Sequence, residues 1–232
     1  MFIYANNKII FPSGEYLFIS PQNSKMGDIP SISTSSLECS FCQDMQAKKD
    51  NVCSKCYARK ILKLYKNARE TAKNNYDLLT SRKLTKEECK AIAKGVANHK
   101  YVRLEAFGEI EKGLKGLTQI ENYYNIVKES KKYNVTFILW TKNIKILNLF
   151  FANNPMLKNL KIILSSYQVN KPLNRDTLPD YLKECKIFTV VNSDSPLMAK
   201  RNCYGGTNGV TCSTCQLCYA SRIKDIIEAL RG

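Results

Sequence analysis

Eight of the ten cysteines in this 232-residue chain fall in two short runs, one near each end, and nothing else in it is so constraining. The first run is Cys39-Ser-Phe-Cys42 followed by Cys53-Ser-Lys-Cys56; the second is Cys203 followed by Cys212-Ser-Thr-Cys215-Gln-Leu-Cys218. Thiolates two residues apart turn toward the same side of a tight turn and can share one ion, so 39–56 and 203–218 read as metal-binding loops. The opening Met1-Phe-Ile-Tyr-Ala-Asn-Asn has no basic region ahead of an apolar stretch, and no run approaches membrane-spanning length. The expectation is a cytoplasmic protein without a membrane partner. In a reducing compartment clustered Cys-x-x-Cys pairs bind metal or do redox chemistry more often than they form disulfides. Cys89 and Cys185 stand alone in helical patterns and read as small core hydrophobes.

The only histidine is His99, outside both runs, which excludes a mixed Cys/His zinc finger. Four-thiolate zinc fits Cys39, Cys42, Cys53 and Cys56 as two knuckles ten residues apart. Three thiolates at successive two-residue spacings, as in Cys212, Cys215 and Cys218, suit three corners of a cubane, with Cys203 the simplest fourth ligand. Spacing therefore ranks one or two [4Fe-4S] clusters ahead of zinc, with metal-free structural cysteines a third reading. The glycine-rich Cys203-Tyr-Gly-Gly-Thr-Asn-Gly209 reads as a turn that lets backbone amides approach cluster sulfur.

Periodicity supplies the scaffold. Phe2–Tyr4, Lys8–Phe11 and Tyr16–Ile19 read as short strands over turns at Asn6-Asn7 and Pro12-Ser13-Gly14, and 20–38 as a loop. A helix is predicted from Cys56 through Leu79, and capping boxes at Thr85–Glu88 and Thr118–Glu121 open helices to about His99 and Lys132. Strands at 101–107, 135–140, 160–164 and 187–191 alternate with helices at 144–151 and 180–184. That order predicts a single α/β domain over 1–232, an incomplete (β/α) barrel of TIM-barrel-like type, with an open doubly wound sheet as the alternative. Loops after parallel strands gather at one face, and in a barrel the first and last units are neighbours, so both cysteine loops are expected at one mouth.

The net charge of +16 divides evenly, +8 in residues 1–116 and +8 in 117–232. A lysine-rich surface of this kind suits nucleic acid or another polyanion, and equally a composition that places lysine wherever the surface tolerates it. The basic face of the helix after Cys56 could follow a phosphate backbone, although such faces are commonly only solvated. Arg103 and Glu105 share strand parity and are expected on one face, with Glu109 just beyond and Lys142 at the next strand end. These four are the candidate catalytic residues, against the plainer reading of a buried ion pair. Tyr123, Tyr124 and Tyr133 read as packing.

A resemblance adds to this. Lys25-Met-Gly-Asp-Ile-Pro30-Ser-Ile-Ser, then Cys39, then Cys53-Ser-Lys-Cys56-Tyr-Ala-Arg-Lys60, is similar to the opening of the phage-associated family called gene product eighty-eight. The resemblance continues at Val102-Arg-Leu-Glu-Ala-Phe-Gly-Glu109, Phe137–Lys142, Asn159–Ser165 and the terminal cysteine run. It implies phage or prophage origin, the host cytoplasm, an iron–sulfur protein on a β/α barrel-like fold, and distant similarity to radical S-adenosylmethionine enzymes. The implied roles are structural, redox or host-protein interaction, with a radical-type or redox enzyme, or a zinc-stabilised nucleic-acid-binding protein, as alternatives. Glu105 replaces the family's usual His, Glu109 its usual Asp, and Cys42 is additional. The Cys-x-x-x-Cys-x-x-Cys spacing of radical enzymes is absent, so S-adenosylmethionine as a cofactor has little support in the residues.

Overall fold

A computed structural model describes residues 1–48, 51–207 and 209–230; Lys49 and Asp50 in the first cysteine stretch and Asn208 in the second lie outside them. The chain opens with strands Ile3–Ala5 (β1), Lys8–Ile10 (β2) and Tyr16–Phe18 (β3), paired antiparallel as expected. Asn6 and Asn7 both take left-handed φ, the geometry a two-residue hairpin turn needs. Ile9 and Leu17 point into the core, while Lys8, Tyr16 and Phe18 remain partly open on the other face.

The second sheet has six strands, all parallel and in chain order: Ser31–Ile32 (β4), Tyr101–Leu104 (β5), Thr136–Thr141 (β6), Leu160–Ser165 (β7), Lys186–Val191 (β8) and Asp225–Ala229 (β9). β4 lies inside the stretch read as loop, because two residues carry no periodicity. The sheet is open. β4 and β9 are its edges and do not pair, so the first and last units are not neighbours around a wall as the sequence reading expected, and no closed barrel forms among the described residues. Each edge is covered by a single bridge, Ser20 on Ser31 and Cys203 on Glu228, which limits edge-to-edge pairing.

Helices occupy one face. Lys66–Ser81 (α3), Lys86–Gly95 (α4), Gly113–Glu129 (α5) and Ile144–Phe151 (α6) pack over Val102, Leu104, Phe137, Leu139, Ile162 and Leu164. Tyr123 and Tyr124 belong to this core, Tyr124 edge-on to Phe150. The Thr85–Glu88 capping box forms as read, with Thr85 Oγ1 accepting from Glu88 N (3.2 Å) and the Glu88 carboxylate from Thr85 N (2.7 Å). The second expected box does not: Thr118 sits inside α5, which starts at Gly113. The long helix expected after Cys56 is two, Tyr57–Leu64 (α2) and α3, parted at Tyr65, whose backbone is extended. They bury different neighbours, and the Asn75 side chain fixes the second by bonding both N and O of Phe18 at 2.8 Å on the edge of β3.

The sheet's other face carries Arg103, Ile138, Trp140, Ile163, Phe188 and Ile226, covered by Met26, Ile29 and the segment Cys203–Tyr219. The connection from β8 to β9 thus crosses on the face opposite the helices, while strand order continues in the same direction. It therefore has the opposite hand to the four helical crossovers before it, against the strong preference for one hand. Lys161 and Lys186 hold it down: the first ammonium donates to the Tyr219 carbonyl, the second to the carbonyls of Ser221 (2.9 Å) and Ile223. Burial lowers the pKa of both lysines. No described helix is long and apolar enough to cross a membrane.

Candidate functional site

The first four cysteines gather at the carboxyl ends of the parallel strands. Cys39 is fully buried and caps the helix Ser40–Ala47 (α1), its sulfur accepting from Cys42 N at 3.4 Å. Cys53 lies in a 3-10 turn over Val52–Lys55 whose first amides are held by Asn51 Oδ1, at 2.7 Å to Cys53 N and 3.1 Å to Ser54 N. Val52 N donates to Tyr167 O (2.9 Å) in the loop after β7. Cys56 caps α2. Cys39 and Cys56 therefore stand at the N-terminal ends of α1 and α2.

Two of the candidate catalytic residues join this set. The loop after β5 supplies Glu109, buried, whose carboxylate accepts from Lys142 N (2.8 Å), Ile110 N (2.9 Å) and the Thr141 hydroxyl. Burial raises its pKa. Lys142 follows β6 and is half-buried; burial pulls its pKa down, but Cys53 and Glu109 near it hold the pKa above the usual lysine value. Cys42 is raised by its bond with Cys39 and by burial, and Cys53 by burial.

Glu105 is elsewhere. β5 ends at Leu104, and Glu105 takes a left-handed φ of 61°, which turns its side chain away from the face that holds Arg103. Shared strand parity therefore does not place the two together. The Glu105 carboxylate, 2% exposed, accepts from Thr34 N (3.1 Å), Thr34 Oγ1 (2.9 Å), Gln119 Nε2 (2.7 Å) and the Tyr123 hydroxyl. Burial pushes its pKa up to about 7 against these donors. A Cβ at Gly108 would lie 2.5 Å from this carboxylate and 2.6 Å from Thr34 O, so only glycine fits. Glu111, on the same loop, accepts from Ser40 N (2.7 Å), Phe41 N (3.2 Å) and the Tyr76 hydroxyl (2.8 Å), capping α1 from outside. Nothing in the sequence pattern marked it.

The second four cysteines lie on the sheet face without helices. Cys203 runs beside β9, its N–H on Ile227 O (3.0 Å). Cys212 and Cys215 bound the short helix Cys212–Cys215 (α8), tied to the loop before β4 by Cys212 N to Lys25 O (2.8 Å) and Ser213 N to Met26 O (3.1 Å). The Gly205 N–H bonds the Cys203 sulfur, and a Cβ at Gly205 would come within 3.3 Å of the Cys212 sulfur. Burial raises the pKa of Cys203, Cys212 and Cys218.

Arg103 faces this second set. It is 8% exposed, lies over the Trp140 ring at 4.4 Å, and donates to the Met26 sulfur at 3.7 Å. Its Nε has no partner, nor do Trp140 Nε1 and the Tyr219 hydroxyl. None of the ion pairs among the described residues involves Arg103, and its electrostatic neighbours are Tyr57, Tyr219, Cys212 and Cys218. The Lys25–Glu228 pair (2.8 Å) closes the side nearest Cys203. Sequence reasoning missed Trp140, Tyr219 and this pair; strand parity could have found Trp140, one alternation along β6 from Ile138, the partner of Arg103.

The eight clustered cysteines thus form two sets of four, all free of disulfides, each set's strongest sulfur neighbours being its own. The donor chemistry, four soft thiols with no histidine, suits zinc or iron–sulfur. The side chains are not closed on a point: no group of three or more His, Cys, Asp or Glu among the described residues stands in a metal-holding arrangement. Cys89 and Cys185 are single and packed in or against the helical core, and burial pushes them up to about 12 and about 11.

No curated protein matches this sequence, and no solved structure does. A family model described as gene product 88 matches residues 5–221, a span that takes in both cysteine sets, Arg103, Glu109 and Lys142. The chain belongs to the gene product 88 family.

Proposed function

We propose that this chain is an iron–sulfur protein of phage or prophage origin, with Cys203, Cys212, Cys215 and Cys218 holding a [4Fe-4S] cluster. One observation carries the reading: a buried guanidinium with no carboxylate partner faces Cys212 and Cys218. An arginine does not discharge at any ordinary pH, and an uncompensated buried charge costs several kcal/mol. The groups at hand that can supply negative charge are thiolates, and buried thiols become thiolates when they bind metal. Arg103, the Tyr219 hydroxyl, Trp140 Nε1 and the Gly205 amide are then the donors available to sulfur, the arrangement that tunes a cluster's potential. A bound cluster supplies one-electron exchange. Cys39, Cys53 and Cys56, with Cys42, would hold a second cluster or a zinc ion. The role is structural, redox or directed to a host protein.

Anaerobic purification tests this. The expected result is a brown protein with broad absorbance near roughly 400 nm and equimolar iron and sulfide. A colourless protein carrying only zinc would overturn it in favour of the zinc-stabilised alternative. A change in the cluster's paramagnetic resonance signal on adding S-adenosylmethionine would move the reading to a radical-type enzyme.

A further inference from the structure

We infer that α2, the start of α3 and the cleft beside them bind single-stranded nucleic acid, the helices meeting phosphates and flat rings meeting bases. The core takes Ala58 and Leu62 from α2 and leaves Leu64 and Tyr65 65% and 58% exposed, outside both buried clusters. The same eight-residue helix carries Arg59, Lys60 and Lys63 and no acid, and Lys66 and Arg69 continue the line. Arg59 is committed to Ser36 O at 3.0 Å, and Lys66 to Glu70 at 3.8 Å, so Lys60, Lys63 and Arg69 are the cations open to an anion. Exposed tyrosine between lysines is the composition that binds bases by stacking and phosphates by charge, and it accords with a net charge of +16.

A second observation points the same way. Two residues after Tyr65, Asn67 begins the rim of a cleft of about 510 Å³ between α3 and the N-terminal hairpin. Tyr16, Phe18 and Phe107 line it, with Ala68 and Ala72 opposite. Its floor holds Ser31 Oγ, on a residue 1% exposed, with no hydrogen-bond partner. Lys8, over the Tyr16 ring at 4.2 Å, sits at the same cleft. Flat apolar walls, an unpaired hydroxyl and a volume of nucleoside scale suit one unstacked base. A duplex keeps its bases stacked and cannot offer one, so the single strand is the ligand.

The test is fluorescence anisotropy of a labelled oligothymidylate of about a dozen nucleotides against a duplex of equal length, in roughly 50 mM salt. The single strand should bind at least about tenfold more tightly, and Tyr65→Ala should weaken it about tenfold. Lys60→Glu with Lys63→Glu should weaken it further and lower the salt slope. Phe107→Ala probes the cleft; Tyr65 and the lysines are exposed, so their variants keep the fold, as thermal midpoints will check. No binding, or equal affinity for duplex and single strand with Tyr65→Ala silent, overturns the proposal. None of these variants touches a cysteine, so failure here leaves the metal reading standing, and iron analysis of the same samples keeps the two apart.

Discussion

The two cysteine sets share their Cys-x-x-Cys spacing and differ in how their surroundings are charged. At the first set a half-buried cation lies near a buried anion: the Lys142 backbone N–H donates to Glu109, its ammonium feels that carboxylate, and loops following β4, β5, β6 and β7 contribute. At the second, Lys25 is matched by Glu228, while Arg103 has no carboxylate. The first set is close to self-neutral; the second carries a surplus positive charge in an apolar place. A shared Cys-x-x-Cys element therefore does not mean shared surroundings. On the proposed reading, thiolates formed at the second set would also answer Arg103, whereas at the first set Glu109 already stands near Lys142.

The sharpest way to break this contrast is Arg103→Met, close in length and uncharged. On the proposed reading it should abolish iron at Cys203, Cys212, Cys215 and Cys218, while any metal on Cys39, Cys42, Cys53 and Cys56 is kept. If iron is unchanged, the charge argument is wrong.

Glu109→Gln should destabilise the chain by about 2 kcal/mol, since Glu109 is buried and accepts from Lys142 N, Ile110 N and the Thr141 hydroxyl, and Lys142→Met by about 1 kcal/mol, since Lys142 is half-buried. The double variant should recover part of that loss, a coupling of about 1–2 kcal/mol in denaturant unfolding. Additive effects would mean that the two do not balance each other.

Glu105 gives a pH signature from behind the first set. Its folded pKa of about 7 lies above the ordinary carboxylate value of 4.5, so the folded chain keeps a proton that the unfolded chain releases. Its contribution is most favourable below about pH 4.5, declines as pH rises through the interval to 7, and is flat above; the whole change is at most about 3 kcal/mol. Glu105→Gln should flatten that part of the stability–pH curve.

The smallest effect is expected from Lys25→Met, about 1 kcal/mol, because Lys25 is partly exposed and its pair with Glu228 is screened. A loss as large as that of Arg103→Met would show the second set to depend on total positive charge and not on the buried guanidinium.

Much of the scaffold was legible because it rests on periodicity. α6 matches its expected bounds, and β6, β7 and β8 agree to within a residue or so. The misses have physical causes. β4 is two residues long, and Glu105 leaves the strand by a left-handed turn that alternation does not register. The break at Tyr65 costs one residue in a pattern that otherwise continues. Thr118–Glu121 has the composition of a cap without the position, inside a helix already begun. The two cysteine runs are plain in the sequence. What each faces is not, because Arg103 meets Trp140 and Tyr219 only after β5, β6 and the last crossover have been laid together.

That last crossover also sets an order of completion. The elements that surround Cys39, Cys42, Cys53 and Cys56 are all present once the loop after β7 has been made, near residue 170. The segment with Cys203 to Cys218 lies flat on the sheet only when β9, the final strand, has entered beside β8 and offers Ile227 and Glu228 to Cys203. In a chain made from its N-terminus, the surroundings of the first set can assemble while those of the second are still unmade, and the second must wait for β9. Two sets of the same residue type thus come of age at different chain lengths, and the later one depends on a strand that contains no cysteine at all.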